Sequence, residues 1–577
     1  MRFLLHPKWS LIMLASVFAL SVAVYYIGAA TPSIFEDEWF AVSHFSQDQN
    51  MDCPSSANLF WRPLQGCYYR FIYAAWGINV GNYHTIMLGI RAAVSVAMMA
   101  LLLILVPNKP YFVFGVALLF SFYPTTFMWP MFNLGHIYLS YLAIFVACYF
   151  FATFARSETS LVNWILGVTL MCLSLLLYEA GLGLLVLISG FLLARYWPSM
   201  TSSKRLMVAA PGVLTSLFGI GRWMTQIDVA SAFGHDTEQV VQGFTLVGIS
   251  SRLSSGYWIT LGRSWLDSVY DLFDANQHLP YRQLAPSVAI AIAVFGVLLL
   301  LYGLRHRRML IARVRDIAND QQEGPIPWRL KELIVIILLG ILAIGAGYIP
   351  ALISVTPGIS YGASRINFLP AAGGALSIIT IFILMLKFAG IGIKDSSRVL
   401  SIFVICLSLL SSRTQIRSQL ETIDSWQTQK AFWNELFREV PDIADGTQII
   451  LTLPEAYQAP VKFGAPPFAI YWRAFGEAMA LMYGHAEPFE IFVVYGQGPE
   501  GIKLTDGSLY VPSHLQQITP VPISASQTVV LNFFEVSGDL QVLQELVTEE
   551  GESVPLCQRC VGDRTTVPSI WRYLVAK

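Results

Sequence analysis

Apolar residues run along this chain in long uninterrupted stretches, and polar residues collect in a few places between them. A helix needs about 20 apolar residues to cross the hydrocarbon core of a bilayer. By that measure spans are expected at 9–30, 83–106, 111–128, 134–154, 162–178, 181–197, 205–222, 285–304, 332–352, 368–387 and 397–412, about 11 in all. The run from Leu161 to Trp197 is too long for one crossing. Glu179 falls near its middle with Gly181 and Gly183 just after it, which divides the run into two helices. The first run follows Arg2 and Lys8 and ends in Gly28-Ala29-Ala30, as a cleavable signal would. It exceeds the roughly 7–15 residues of a signal h-region, so a retained anchor helix is expected.

Past Ser412 the pattern changes. A helical opening at Trp426 to Val440 stops at Pro441, and strand-like runs follow at Gln448–Leu453, Phe489–Tyr495, Ser508–Val511 and Thr528–Phe534. A further amphipathic helix is expected at Gly538 to Glu549. The fold class is therefore a polytopic α-helical membrane protein with a C-terminal soluble α+β domain. Residues 1–412 form the membrane part, with long loops at 31–82 and 223–284, and residues 413–577 form the second domain. The 223–284 loop mixes acids such as Asp236 and Asp267 with aromatics such as Trp258 and Trp265, a pattern suited to interfacial helices.

Composition agrees. The 577 residues are 55% hydrophobic and 13% charged, against about 25% charged in soluble proteins, and the mean hydropathy is +0.56. The net charge of -1 and the lack of a basic block give no reason to expect a nucleic-acid partner. Basic residues fall in alternate connections: Lys109, Arg156, Arg195, Lys204, Arg205, the block from Arg305 to Arg315, and Lys387, Lys394 and Arg398. The positive-inside rule makes these connections and the N-terminus cytoplasmic. The loops at 31–82 and 223–284 and the C-terminal domain then face outward, across what is expected to be a bacterial inner membrane. Two cysteine pairs lie on that outward face, Cys53 with Cys67 and Cys557 with Cys560, and an oxidising compartment allows each to close a local disulfide.

A few charged residues stand where lipid makes them costly. Glu36-Asp37-Glu38 follows the first span directly, with Trp39 and Phe40 beside it to hold it near the bilayer surface. Glu179 sits in Tyr178-Glu179-Ala180-Gly181, at the outward junction of two short helices. Arg365 is the basic residue of the outward loop Tyr361–Pro370, and a guanidinium there suits a lipid phosphate through two parallel hydrogen bonds. His136 starts a span after a turn that contains two prolines. Arg91, inside the second span, needs a partner within the bundle.

The acidic pair Asp37-Glu38 just after the first helix resembles the signature of GT-C fold membrane glycosyltransferases, which use polyprenyl-phosphate-linked sugars. Trp61-Arg62-Pro63-Leu64, the Gly81–His84 turn and Tyr178-Glu179-Ala180-Gly181 are similar to bacterial members and to the related O-mannosyltransferases with tetratricopeptide repeats. Ser364-Arg365, followed by an aromatic-Leu-Pro stretch, resembles the family's phosphate-binding segment. The resemblance reaches to about Leu410. It leaves out the C-terminal domain, and the tetratricopeptide repeats are absent.

The resemblance implies sugar transfer with inversion from a polyprenyl-phosphate donor to a hydroxyl of a glycan, lipid or protein acceptor, with membrane lipid as the surrounding partner. Asp37 would be the general base, with Glu38 beside it, and Arg365 would hold the departing lipid phosphate. Arg62, Glu179 and His136 are assigned to substrate contacts. A divalent cation is compatible with Asp37 or Glu179 as ligands. Two other classes are a flippase or transporter of lipid-linked sugar or polymer, and a non-catalytic scaffold presenting the C-terminal domain.

Overall fold

The computed structural model describes residues 7–31, 62–77, 79–107, 109–125, 127, 134–156, 161–232, 245–273, 328–349, 357–358, 362–389, 393–454, 472–485, 489–495, 503–505, 508–510, 522–534, 540–547 and 553–562. Asp37, Glu38 and Cys53, and the expected span 285–304, lie outside these residues.

The helices are α1 (Pro7–Ala30), α2 (Gln65–Trp76), α3 (Val80–Leu105), α4 (Pro110–Phe122), α5 (Gly135–Arg156), α6 (Leu161–Leu177), α7 (Leu182–Tyr196), α8 (Ser202–Ala232), α9 (Leu246–Trp258), α10 (Ser264–Tyr270), α11 (Leu330–Tyr348), α12 (Phe368–Phe388), α13 (Ile393–Glu439) and α14 (Trp472–Tyr483). Seven helical segments among the described residues are long and apolar enough to cross a membrane: Ser10–Ala30, Val80–Leu105, Gly135–Arg156, Glu179–Ser199, Leu330–Tyr348, Phe368–Phe388 and Ser397–Glu439. Pro110–Phe122 and Leu161–Leu177 are shorter apolar helices. The chain is thus a mostly helical, membrane-embedded protein whose C-terminal region carries strands. The expected span 205–222 lies within α8, which has Pro211 in its interior.

Helix α12 is buried on nearly all sides, from Phe368 to Lys387, and α11 packs against it through small residues. A Cβ at Gly373 would run into the Gly340 carbonyl and lie 2.6 Å from Ile344 N, so the two backbones need glycine to come this close. The junction expected at Glu179 is present. Helix α6 ends at Leu177, Tyr178 is extended, and a 3₁₀ turn at Glu179–Gly181 leads into α7.

Helix α13 joins the two parts of the protein. At 1.5 Å per residue its 47 residues run about 70 Å. The helical opening expected at Trp426 to Val440 is its distal part. Its buried stripe keeps helical spacing but changes chemistry along the way. Gln415, Ser418, Gln419, Thr422 and Ser425 give way to Trp426, Phe432, Trp433, Leu436 and Phe437. The strands that follow are β1 (Asp442–Ile443), β2 (Gln448–Leu453), β3 (Glu490–Tyr495), β4 (Lys503–Thr505), β5 (Ser508–Tyr510), β6 (Pro522–Ser524), β7 (Thr528–Phe533) and β8 (Leu540–Leu543). The second set packs on a four-stranded sheet of order β3-β2-β7-β8, where β2 runs parallel to both β3 and β7. Helix α14 supplies the crossover between β2 and β3.

The helix expected at Gly538–Glu549 is not formed. Leu540–Leu543 is a strand antiparallel to β7, and Glu545–Val547 pairs with Ser553–Pro555. The spacing of Leu540, Leu543, Leu546 and Val547 fits a helix, but pairing with β7 completes the sheet edge. It also places Leu546 in a core with Ile450, Val494 and Val530.

The second long loop is less separate than a loop would be. Helix α9 lies along α11, where the Tyr257 hydroxyl donates to Ile341 O (2.8 Å). Exposed Val247, Trp258, Leu266 and Tyr270 are left on the outer side of α9 and α10.

Candidate functional site

The end of the bundle at which α1 finishes also holds the starts of α3 and α5 and the 3₁₀ turn at Glu179. Glu179 is the centre of the polar structure there. Its Oε2 accepts from Arg62 Nε (2.9 Å), and its Oε1 accepts from Arg62 Nη2 (2.8 Å) and Arg222 Nη2 (2.9 Å). The side chains are 24% (Arg62), 12% (Glu179) and 7% (Arg222) exposed, so the interaction is largely shielded from water.

Local structure explains how Arg62 reaches it. Leu64 N donates to Leu176 O (3.2 Å), which ties the strap before α2 to the end of α6. Arg62 takes a φ of +42°, a left-handed conformation that side chains rarely adopt, and its guanidinium lies 4.3 Å from the centre of the Tyr178 ring. Burial works against the Arg62 charge. The carboxylate of Glu179 more than offsets it and holds the guanidinium ionised more firmly than usual.

His136 belongs to the same cluster. The Tyr69 hydroxyl lies 3.4 Å from its Nδ1, and the rings of Tyr68, Tyr69 and Tyr178 pack around it with centroids 5.6–6.0 Å away. Gly135 precedes it because a Cβ there would collide with the Tyr68 hydroxyl. The structure therefore brings Arg62, Glu179 and His136 together. It adds Arg222, which the sequence reading passed over at the end of a span.

Arg365 lies in a second structure at this end of the bundle, the 3₁₀ turn Gly362–Asn367. Its side chain is outside the described residues, but its neighbours are firmly held. Ser364 Oγ accepts from Phe127 N (3.0 Å). The Asn367 amide donates to Thr125 O (2.9 Å) and Gly358 O (2.7 Å) and accepts from the Tyr348 hydroxyl (2.9 Å). Tyr348 is 2.9 Å from Thr260 Oγ1, and Thr260 O accepts from Tyr123 (2.7 Å). These bonds join the turn to Thr125, Phe127, Thr260 and Tyr348, which belong to other elements of the bundle, and so hold it in place.

The polar half of the α13 stripe ties the network around the Arg365 turn to α1. Gln415 donates to Tyr123 O (2.8 Å). Gln419 accepts from Gly28 N (2.8 Å) and donates to Val24 O (2.9 Å). Val24 O and Gly28 N are the acceptor and donor of one i→i−4 step of α1, so the glutamine amide bridges that rung. Three residues beyond Gly28 the chain leaves α1 and enters the segment that carries Asp37 and Glu38.

Two other buried charges act inside the scaffold. Arg91 donates to Tyr25 (2.6 Å) and Tyr138 (2.8 Å) and lies over the Tyr25 and Phe368 rings, which supplies the partners that the sequence left open. Fully buried Asp271 accepts from Arg413 and Arg417, and Arg417 also pairs with Glu421 (2.6 Å), so the segment after α10 is bolted to α13. Among the described residues no three His, Cys, Asp or Glu side chains group as a metal site would. Both Glu179 oxygens are engaged by guanidinium donors. Cys557 and Cys560 form a disulfide, and Cys67 is disulfide-bonded as well.

What the described arrangement offers chemically is a set of ordered cations and an imidazole at one membrane edge. No protein-family model matches the chain, and no curated protein matches it in sequence.

Proposed function

We propose that this protein transfers a sugar from a polyprenyl-phosphate donor to an acceptor hydroxyl, at the bundle end where α1 finishes. The positive-inside pattern makes that end extracytoplasmic. Asp37, with Glu38 beside it, takes the proton of the acceptor hydroxyl as its oxygen attacks the anomeric carbon. The bond from that carbon to the phosphate oxygen breaks on the opposite face, and the configuration inverts. The lipid phosphate leaves with the bonding electrons and is stabilised by Arg365. Arg62 and His136 contact the substrate, and Glu179 orients Arg62.

One observation carries the reading. Arg62, Glu179 and His136 were each singled out on the sequence as substrate residues. They meet in one cluster although Arg62 and Glu179 are 117 residues apart and Tyr69 and His136 are 67 apart.

Ligand protection tests the proposal. A ligand that binds only the folded protein at 100 times its Kd stabilises it by about 2.7 kcal/mol. Polyprenyl-phosphate sugars are expected to raise the melting temperature of the purified protein, and the effect should weaken in Arg62→Met and Arg365→Ala. If no polyprenyl-phosphate sugar shifts the melt of the wild-type protein, the donor class is wrong. A donor that protects but is never consumed points to transport.

A further inference from the structure

An apolar cavity of about 330 Å³, lined by α3, α5, α7, α11 and α12, opens toward the opposite end of the bundle and reaches as far as Ala372 and Gly373 of α12. Its walls are aliphatic and aromatic from Leu184 and Ala343 down to Leu105 and Val106. Its mouth is where the polar residues are: Arg195 at the end of α7, Lys109 before α4, and Trp328 and Glu332 at the start of α11. Lys109 Nζ sits 4.6 Å from the centre of the Trp328 ring, and Arg195 is exposed.

The cavity has the depth of one leaflet. From Arg195 back to Leu184 is 11 residues of α7, and from Glu332 to Ala343 is 11 residues of α11, so each wall spans about 16 Å. Half of a hydrocarbon core is about 15 Å. A slot of this length, closed to polar groups along its walls and ringed at one end by two cations, an indole and a single carboxylate, matches a lipid with one chain inside and its phosphate at the mouth. The indole belongs at that level too, because tryptophan prefers the headgroup boundary.

We infer that this cavity is a binding site for an anionic glycerophospholipid of the leaflet at the Lys109 end, with one acyl chain between α7 and α11 and its phosphate against Arg195. This occupant is different from the sugar donor, which acts at the other end of the bundle. The chain would fill the space left between α3, α7 and α11, and would thereby couple lipid composition to the packing that supports Gly183 against α11.

The test uses the full-length protein in nanodiscs. A phosphatidylglycerol carrying a photoreactive group at mid-chain should crosslink to peptides spanning 184–195 and 332–343 of the wild-type protein. Unlabelled phosphatidylglycerol should compete for the site better than phosphatidylcholine. Arg195→Ala should weaken phosphatidylglycerol binding about fivefold, the effect of one interfacial cation, and phosphatidylcholine binding by less, because the choline cation offsets its phosphate charge. Ala343→Phe, which fills the slot, should abolish crosslinking there. Labelling spread evenly over the outer helix faces would overturn the inference, as would equal competition by the two lipids. Competition by a polyprenyl phosphate as strong as by phosphatidylglycerol would also overturn it and assign the cavity to the donor's tail.

Discussion

Replacing Glu179 by glutamine removes one charge and leaves the shape of the side chain almost unchanged. In the native protein that carboxylate accepts three charge-assisted hydrogen bonds from two guanidinium groups, with 12% of its side chain exposed. The variant keeps one carbonyl oxygen as an acceptor but turns a donor toward a cation. Breaking a buried ion pair costs about 3–5 kcal/mol. Arg62 is about a quarter exposed, so water recovers part of its loss, and the lower end, about 3 kcal/mol, is expected. A double-mutant cycle with Arg222→Met isolates the better buried pair, and its coupling should be about 2 kcal/mol. Unfolding of the purified protein in mixed micelles, followed by tryptophan fluorescence, reads both values. A coupling below about 0.5 kcal/mol would show that the carboxylate is solvated like an ordinary surface acid, and the buried ion pair with Arg222 would fall.

Other outcomes follow from the same geometry. Asp271→Asn should destabilise the protein by about 3–5 kcal/mol in the same assay, because Arg413 and Arg417 both lose their buried counter-charge. Gln419→Leu should cost about 1–3 kcal/mol and speed amide exchange at the end of α1, since the rung from Val24 to Gly28 loses its bridge. Gly373→Ala should lower the melting temperature, because the added methyl meets the backbone of Gly340 and Ile344 and overpacking of this kind costs about 1–3 kcal/mol.

The long apolar runs made the bundle legible in the sequence, because a span is specified by its own composition and needs no partner to be recognised. The break at Glu179 was legible for a similar reason: an acid followed by two glycines cannot continue an apolar helix cheaply. The strands around Leu540 and Leu546 were not, since a spacing that suits a helix was overridden by pairing of Leu540–Leu543 with the preceding strand β7 and of Glu545–Val547 with Ser553–Pro555. The continuity of α13 was missed because the change from apolar to polar residues near Ser412 looks like a boundary. The helix instead keeps its register and exchanges the chemistry of one stripe. Within the site, Glu179 and His136 stood out as single residues, but Arg222 did not. An arginine at the end of a span reads as an ordinary flank, and only its meeting with Glu179 distinguishes it. A sequence search for charges of opposite sign at the same end of different spans would have paired the two.

The most direct test of the proposed chemistry is release of polyprenyl phosphate from a polyprenyl-phosphate sugar, measured together with sugar incorporation in membranes that carry the protein. The wild type should release one lipid phosphate for each sugar transferred. The double variant Asp37→Asn/Glu38→Gln should bind donor but lose transfer by about 100-fold or more, the contribution of a positioned general base. Wild-type transfer rates with both carboxylates neutralised would contradict the account.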